Sequence, residues 1–481
     1  MTATARERRR KHATAASDGP LLAVGLMSGT SMDGVIDAAL VRTDGDAFLR
    51  RVAAHPFQYE DPTGDRAFHH LMKAAELAMR ESRGALDRAV SVFPEVAVRY
   101  LGAALGQRSR HGGHAFRSFS RQLFGRSEAS MTALIERSTD FHIAAVRALR
   151  RRTNTDPCEL DLIGYHGQTL YHSPQNGVSV QVGDAQRIAD ACGRPVVGAF
   201  REDDLRAGGQ GAPLAPVYHH ALAQTLDVAP CVFVNLGGCS NVTIVGTRLS
   251  ELIAFDAGPG NTLLDRFVNG RNGQPMDRDG GFALRGTVDT GVLEVLKRQS
   301  ILRDGRNYLD LRPPKSLDVR DPVLVPELDA LSLPDGCATL TAFTAACVAR
   351  AVEQLLAARI FVPTRWILSG GGASNPAMVK ELERRVGRSL TGSVRMSDAS
   401  VFGLSSAAME AELLAFLAVR SRRRLPITFP GTTGVSEPQC GGRTYHPSSA
   451  PQRLDKLTSS PRPENSWDRP GPAPKLQTDR P

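Results

Sequence analysis

The run Val24-Gly25-Leu26-Met27-Ser28-Gly29-Thr30-Ser31-Met32-Asp33-Gly34 carries an apolar stretch into a turn of glycines, hydroxyls and one carboxylate. Glycines let backbone amides approach an anion closely, and Thr30 and Ser31 add hydroxyl donors, so Ser28 to Gly34 could cradle phosphate. Asp33 could hold magnesium, most simply through water, because hard cations prefer carboxylate oxygen. A hairpin whose Asp33 only caps the turn would use the same residues. Further on, Ala254-Phe255-Asp256-Ala257-Gly258-Pro259-Gly260-Asn261 sets a carboxylate at the end of a short apolar run, before a stiff Gly-Pro-Gly turn. General-base work is limited first by position, so Asp256 is the candidate base; an aspartate that merely accepts turn amides is the plain alternative.

Three other stretches carry weaker signals. Leu368-Ser369-Gly370-Gly371-Gly372-Ala373-Ser374-Asn375 is a strand-to-glycine-to-helix junction whose Gly370, Gly371, Gly372 and Asn375 could lie against adenosine, or simply connect two elements. His166-Gly167-Gln168-Thr169 follows an apolar run and could hydrogen-bond a sugar, although a histidine at a strand end is commonly structural. His172 adds a second imidazole, but no third ligand stands at a spacing that would make a zinc site. Phe200-Arg201-Glu202-Asp203-Asp204, ahead of Ala207-Gly208-Gly209-Gln210-Gly211-Ala212-Pro213-Leu214, reads equally as a substrate loop or a solvated one.

These residues need a scaffold of alternating elements. Strand-like runs at Leu160–Ile163, Pro195–Gly198, Cys231–Val234 and Trp366–Leu368 interleave with helical patterns over Phe68–Glu81, Ser130–Arg151, Ala338–Arg359, Ala377–Val386 and Ser405–Arg420, which predicts an α/β architecture. The first glycine turn has an echo. Val232-Phe233-Val234-Asn235-Leu236-Gly237-Gly238-Cys239-Ser240-Asn241 repeats strand, glycine turn and returning strand, so Gly237 and Gly238 are expected to grip the same phosphate chain from a duplicated domain.

The chain has 481 residues, 41% hydrophobic and 23% charged, which suits two globular domains. Its net charge of +9 concentrates in residues 1–19, 108–126 and 451–481, with no basic stripe interleaved with aromatics, so specific nucleic-acid binding is not expected. Seven scattered cysteines without a C-x-x-C pair argue for a reducing cytoplasm. Leu21–Met27 is too short for a membrane span and lacks a cleavage site, so it reads as a buried strand and no membrane association is expected. Residues 1–19 and 445–481 read as disordered arms.

Taken together, the stretches Gly25–Gly34, His166–Thr169, Gln181-Val182-Gly183-Asp184, Gly208–Leu214, Asn235–Gly238 and Asp256–Asn261 resemble the anhydro-N-acetylmuramic acid kinases, over about Leu22 to Gly442. The resemblance implies an actin-like ATPase superfold of two duplicated domains with magnesium-ATP in the cleft. Domain I is expected at 20–227 with 400–444, and domain II at 228–399. It implies that Asp256 is the general base, that Ser28 to Gly34 with Gly237 and Gly238 meet the phosphates, and that His166, Gly167, Arg201 and Asp204 meet the anhydro-sugar. A homodimer is compatible with it. The chain departs from the family at Ala199, where an acidic residue is usual, at Asp203, where Arg is usual, at Val35-Ile36-Asp37, and at Leu317-Asp318. None is expected to touch Asp256, so they are expected to bear on affinity; Asp203 is expected to repel the substrate's carboxylate while Arg201 or Arg206 attracts it. A kinase of the same fold for another sugar, and a non-catalytic nucleotide switch, are the competing readings.

Overall fold

The computed structural model describes residues 19–28, 34–58, 128–302, 305–317, 323–390 and 393–448. Gly29–Asp33, the helix expected over Phe68–Glu81, the basic stretch 108–126 and nearly all of both arms lie outside the described residues.

Two sheets of the same plan carry the fold. In the first, β1 (Leu21–Ser28), β2 (Val35–Thr43) and β3 (Leu49–Gln58) form an antiparallel meander. Strands β4 (Leu162–Tyr165) and β7 (Val196–Gly198) continue it parallel to β1. In the second, β8 (Cys231–Leu236), β9 (Cys239–Val245) and β10 (Ile253–Pro259) repeat the meander, and β11 (Arg365–Ser369) and β12 (Arg395–Asp398) run parallel to β8. The orders β3-β2-β1-β4-β7 and β10-β9-β8-β11-β12 match strand for strand and direction for direction. This duplication is the actin-like superfold. A last strand, β13 (Arg443–Tyr445), adds antiparallel to β7, and β5 (Gln168–Ser173) pairs with β6 (Val178–Val182) as a separate hairpin.

Strand periodicity sorts the cores. Leu22, Val24 and Leu26 of β1 face Val146 and Leu149 of α1 (Glu128–Thr153) and Ile188 of α2 (Ala185–Cys192). The alternate Ala23 joins a different cluster, with α4 (Pro216–Thr225) and α9 (Ser406–Arg422). Strand β8 divides in the same way: Val232, Val234 and Leu236 pack with α7 (Leu333–Ala357) and α8 (Pro376–Ser389), whereas Cys231 and Phe233 join α4 and α9. Helices α4 and α9 are thus a layer shared by both sheets, each sheet buried on two faces. Glu412 of α9 fastens that layer, accepting hydrogen bonds at 2.8 Å from Arg51 of β3 and from the Tyr218 hydroxyl of α4. The approach of α9 is close enough to require glycine. A Cβ on Gly25 would sit 1.8 Å from the Ala411 carbonyl oxygen, and one on Gly164 2.0 Å from that of Leu414.

Helix α7 is the one described helix long and apolar enough to cross a membrane, but 72% of its most apolar window is buried. It packs among β10, α8, α5 (Thr262–Asn272) and α6 (Thr290–Arg298). Sequence patterning leaves β3, β12 and α4 unmarked. Strand β3 is an edge of its sheet among the described residues, which tolerates Pro56 and its arginines; α4 mixes His219, His220, Gln224 and Thr225 with its apolar residues, so no clear amphipathic stripe marks it. Residues 445–448, expected to open a disordered tail, are held by the fold. Tyr445 pairs with Val196, and the Ser448 amide donates to Asp190 at 2.7 Å.

Candidate active site

Asp256 leaves β10 at a bulge: it pairs with Asn241, while Gly258 already pairs with Ser240, so Ala257 is the extra residue. Bulges re-aim side chains, and this one leaves Asp256 only partly buried among buried neighbours. Its carboxylate accepts Asn241 Nδ2 on Oδ1 and the Leu317 amide on Oδ2, the latter at 2.8 Å, so the departure at Leu317 does touch Asp256, against expectation, through a backbone amide that any residue but proline would supply. Its main chain is held too: its N–H donates to the Lys315 carbonyl at 2.9 Å and its carbonyl accepts the Tyr308 hydroxyl. Burial pushes the carboxyl up to about 6, against the opposing pull of the Leu317 and Asn241 hydrogen bonds and the Lys315 charge. A carboxylate of that strength is ionised at neutral pH and still takes a proton well.

The Gly-Pro-Gly turn after Asp256 supports the glycine turn between β8 and β9. The Gly260 and Asn261 amides donate to the Gly238 and Gly237 carbonyls, both at 2.8 Å, and Thr262 Oγ1 reaches Gly238 O at 2.9 Å. In a trans peptide the N–H points opposite to the C=O. The Gly238 and Cys239 N–H groups therefore point away from this support, toward the exposed side of Gly238. Backbone amides so directed suit an anion. The third glycine junction lies alongside. Gly370 has φ +81°, and a Cβ there would come within 2.8 Å of Leu236 backbone; a Cβ on Gly372 would come within 2.7 Å of the Leu236 side chain. Asn375, only 6% exposed, caps α8 by accepting the Ala377 and Met378 amides at 3.0 and 3.2 Å, so its side chain is engaged by the chain itself. Gly237, Gly238, Gly370, Gly371 and Gly372 thus gather at the carboxyl ends of β8 and β11, where open α/β sheets bind ligands.

At the matching end of the first sheet, Ser28 Oγ is buried without a hydrogen-bond partner among the described residues, and Gly34 turns the chain at φ +89°. The intervening Gly29, Thr30, Ser31, Met32 and Asp33 lie outside the described residues. His166 follows β4, and Arg201 Nε donates to His166 Nε2 at 2.9 Å. Arginine only donates, so His166 Nε2 accepts and Nδ1 carries the proton, given to the Gly167 carbonyl at 2.8 Å. Burial first, then the Arg201 charge, pushes His166 down to about 3 and keeps it neutral. Arg201 Nη1 also donates to Gly211 O at 2.7 Å, and burial lowers its guanidinium to about 10 while Glu410 of α9 and Asp204 pull it back.

Asp204 in α3 (Glu202–Arg206) is 1% exposed, and both its oxygens are taken: Oδ1 by the Gly211 amide at 2.6 Å and Oδ2 by the Thr433 hydroxyl at 2.5 Å. It anchors the Gly208–Leu214 loop. The expectation that Asp203 repels substrate needs correction: its side chain is 42% exposed and pairs with Arg206, which also binds Glu202 at 2.7 Å, while Arg201 points the other way into the loop. Helix α9 borders both halves: Ser406 Oγ accepts the Gly370 amide at 3.0 Å, and one turn later Glu410 faces Arg201. Asn241, Tyr308, Lys315 and Glu410 were not singled out from sequence. Asn241 stood inside the quoted glycine motif and Lys315 in a Pro-Pro-Lys-Ser run, whereas nothing in the sequence marks Tyr308 or Glu410.

Two copies of one sheet plan, joined through the shared α4–α9 layer, define the fold of an actin-like kinase. The chain belongs to the anhydro-N-acetylmuramic acid kinase family, whose model matches residues 126–447. Curated relatives of that name include the protein of Rhizorhabdus wittichii, 40% identical over 427 residues that cover 89% of this chain and 99% of the relative. Those of Methylobacterium nodulans and Rhodospirillum rubrum are each 39% identical, covering 88% and 90% of this chain and 100% and 96% of theirs.

Proposed function

We propose that the protein phosphorylates 1,6-anhydro-N-acetylmuramic acid with ATP while water opens the anhydro bridge, giving N-acetylmuramic acid 6-phosphate and ADP. The observation that carries this reading is Asp256, a partly open carboxylate with a raised pKa, fixed beside a glycine turn that its own Gly-Pro-Gly segment supports. Asp256 takes a proton from water as the water oxygen bonds to the anomeric carbon. The bond from that carbon to O6 breaks with its electron pair left on O6. ATP, when bound, supplies the phosphoryl group that O6 takes up. The Gly238 amide and Ser28 Oγ would meet the phosphates, and the Gly370–Gly372 junction, packed against Leu236 beside that turn, would border the adenosine. Arg201, held by His166 and Gly211, would offer its cation to the lactyl carboxylate of the sugar.

Magnesium is assigned to Asp33, which lies outside the described residues; among the described residues no cluster of three metal-ligating side chains occurs, and no step is routed through the ion. The seven cysteines are all free thiols, which supports a cytoplasmic setting, where the sugar would arise from peptidoglycan turnover. The test is ADP release by the pure protein with and without the anhydro-sugar. Sugar-dependent release is expected; ATP turnover that ignores the sugar would overturn the assignment.

A further inference from the structure

Lys315 is 5% exposed. Its Nζ donates to the Tyr308 carbonyl at 3.1 Å and stands 4.4 Å from the centroid of the Tyr308 ring. Among the described residues these are its close partners, and no carboxylate forms an ion pair with it. Taking an ammonium out of water without a paired anion is unfavourable, and a methionine would fill the same space without that penalty. Packing alone does not account for a charge here.

The segment that carries the charge is the one that holds Asp256. The Tyr308 hydroxyl donates to the Asp256 carbonyl. The Lys315 carbonyl accepts the Asp256 amide at 2.9 Å, and the Leu317 amide donates to Asp256 Oδ2 at 2.8 Å. Lys315 Nζ closes this segment on itself by binding the Tyr308 carbonyl, so the two ends that grip Asp256 are tied together by one ammonium. We infer that Lys315 is a positioning residue for the reaction: its buried ammonium locks residues 308–317 into a clamp on Asp256 and places a fixed positive charge behind the base. This rests on the reading of Asp256 as the base.

The charged and titratable groups around the clamp are few. The segment itself supplies Tyr308, Asp310, Arg312 and Lys315; β9 supplies Cys239; α7 supplies Cys347 and Arg350. Burial pushes the Cys347 thiol up to about 12 and the Tyr308 hydroxyl well above its ordinary value, so both stay neutral near pH 7. Burial also lowers the Lys315 ammonium to about 8, which leaves it charged at neutral pH. Removing that charge disfavours the Asp256 carboxylate and shifts its titration to higher pH.

Lys315→Met keeps the volume and removes the charge. The expected result is a folded protein with the wild-type KM for ATP, a kcat lower by roughly 10- to 100-fold, and an acid limb of kcat/KM displaced to higher pH. Lys315→Gln, which retains a donor for the Tyr308 carbonyl but no charge, should recover part of kcat without restoring the limb. Wild-type kcat and an unmoved limb in either folded variant overturn the inference. So does failure of both variants to fold where the wild type folds, since Lys315 would then serve stability. Asp256→Asn run alongside separates the two claims: near-normal turnover there sinks the base itself, whereas an inactive Asp256→Asn beside a normal Lys315→Met sinks only the clamp.

Discussion

Asp256 sits where two opposing influences nearly balance: burial favours its neutral form, while Asn241, Leu317 and Lys315 favour the carboxylate. Burial wins, which fixes the sign of the pH dependence. With the carboxyl at about 6, turnover should fall about tenfold per pH unit below pH 6 as the base takes up a proton, and level off above it; a rate profile flat down to pH 5 would contradict this. The same shift makes Asp256 a cost to folding at neutral pH. The folded state holds this proton more tightly than the unfolded chain does, so the contribution to stability is complete below the unfolded value and is lost as pH rises through about 6. Asp256→Asn keeps size and cannot accept water's proton. It should lower kcat roughly 10²–10⁴-fold while ATP affinity stays unchanged, as calorimetry of nucleotide binding would show.

The elements explain which roles the residue pattern exposes. The strand-end carboxylate before Gly258-Pro259-Gly260 was legible because position and stiffness are written in consecutive residues. The grip of Tyr308, Lys315 and Leu317 was not, because it comes from more than 50 residues along the chain and much of it is backbone, which leaves no trace in side-chain type. The loop around Arg201 shows the converse limit. Four consecutive charges beside a flexible turn read equally as a substrate loop or a solvated one, because the sequence could not say which side of the short helix α3 faces inward. Asp203 turned out to pair with Arg206 on the open side, so Asp203→Arg should change the KM for the sugar less than twofold, as expected for a screened surface charge. Arg201→Met should raise that KM at least tenfold with KM for ATP unaffected, since a charge-assisted hydrogen bond contributes about 1.5–3 kcal/mol. Asp204→Ala would leave the Gly211 amide and the Thr433 hydroxyl unsatisfied and cost about 1–3 kcal/mol each way this is relieved, read as a lower Tm.

Across the whole molecule, the duplicated sheets were foreshadowed by two glycine turns two hundred residues apart, because each opens its half at the end of a first strand. What joins the halves was less visible. The α4–α9 layer depends on Gly25 and Gly164, whose missing side chains let α9 lie on β1 and β4, and on Glu412 held between Arg51 and Tyr218. Gly25→Ala should therefore destabilise the fold severely, beyond the usual 1–3 kcal/mol of overpacking, because backbone rather than a movable side chain blocks the space. The central claim is that one turnover uses both Asp256, to activate water, and the glycine turn after β8, to hold phosphate. The direct test is mass spectrometry of the product formed from ATP and the anhydro-sugar in ¹⁸O-labelled water, sampled before the sugar's own oxygen exchange. One heavy oxygen on the anomeric carbon and none in the phosphate is predicted. Phosphorylated sugar without the label, or label found in the phosphate, would contradict the account.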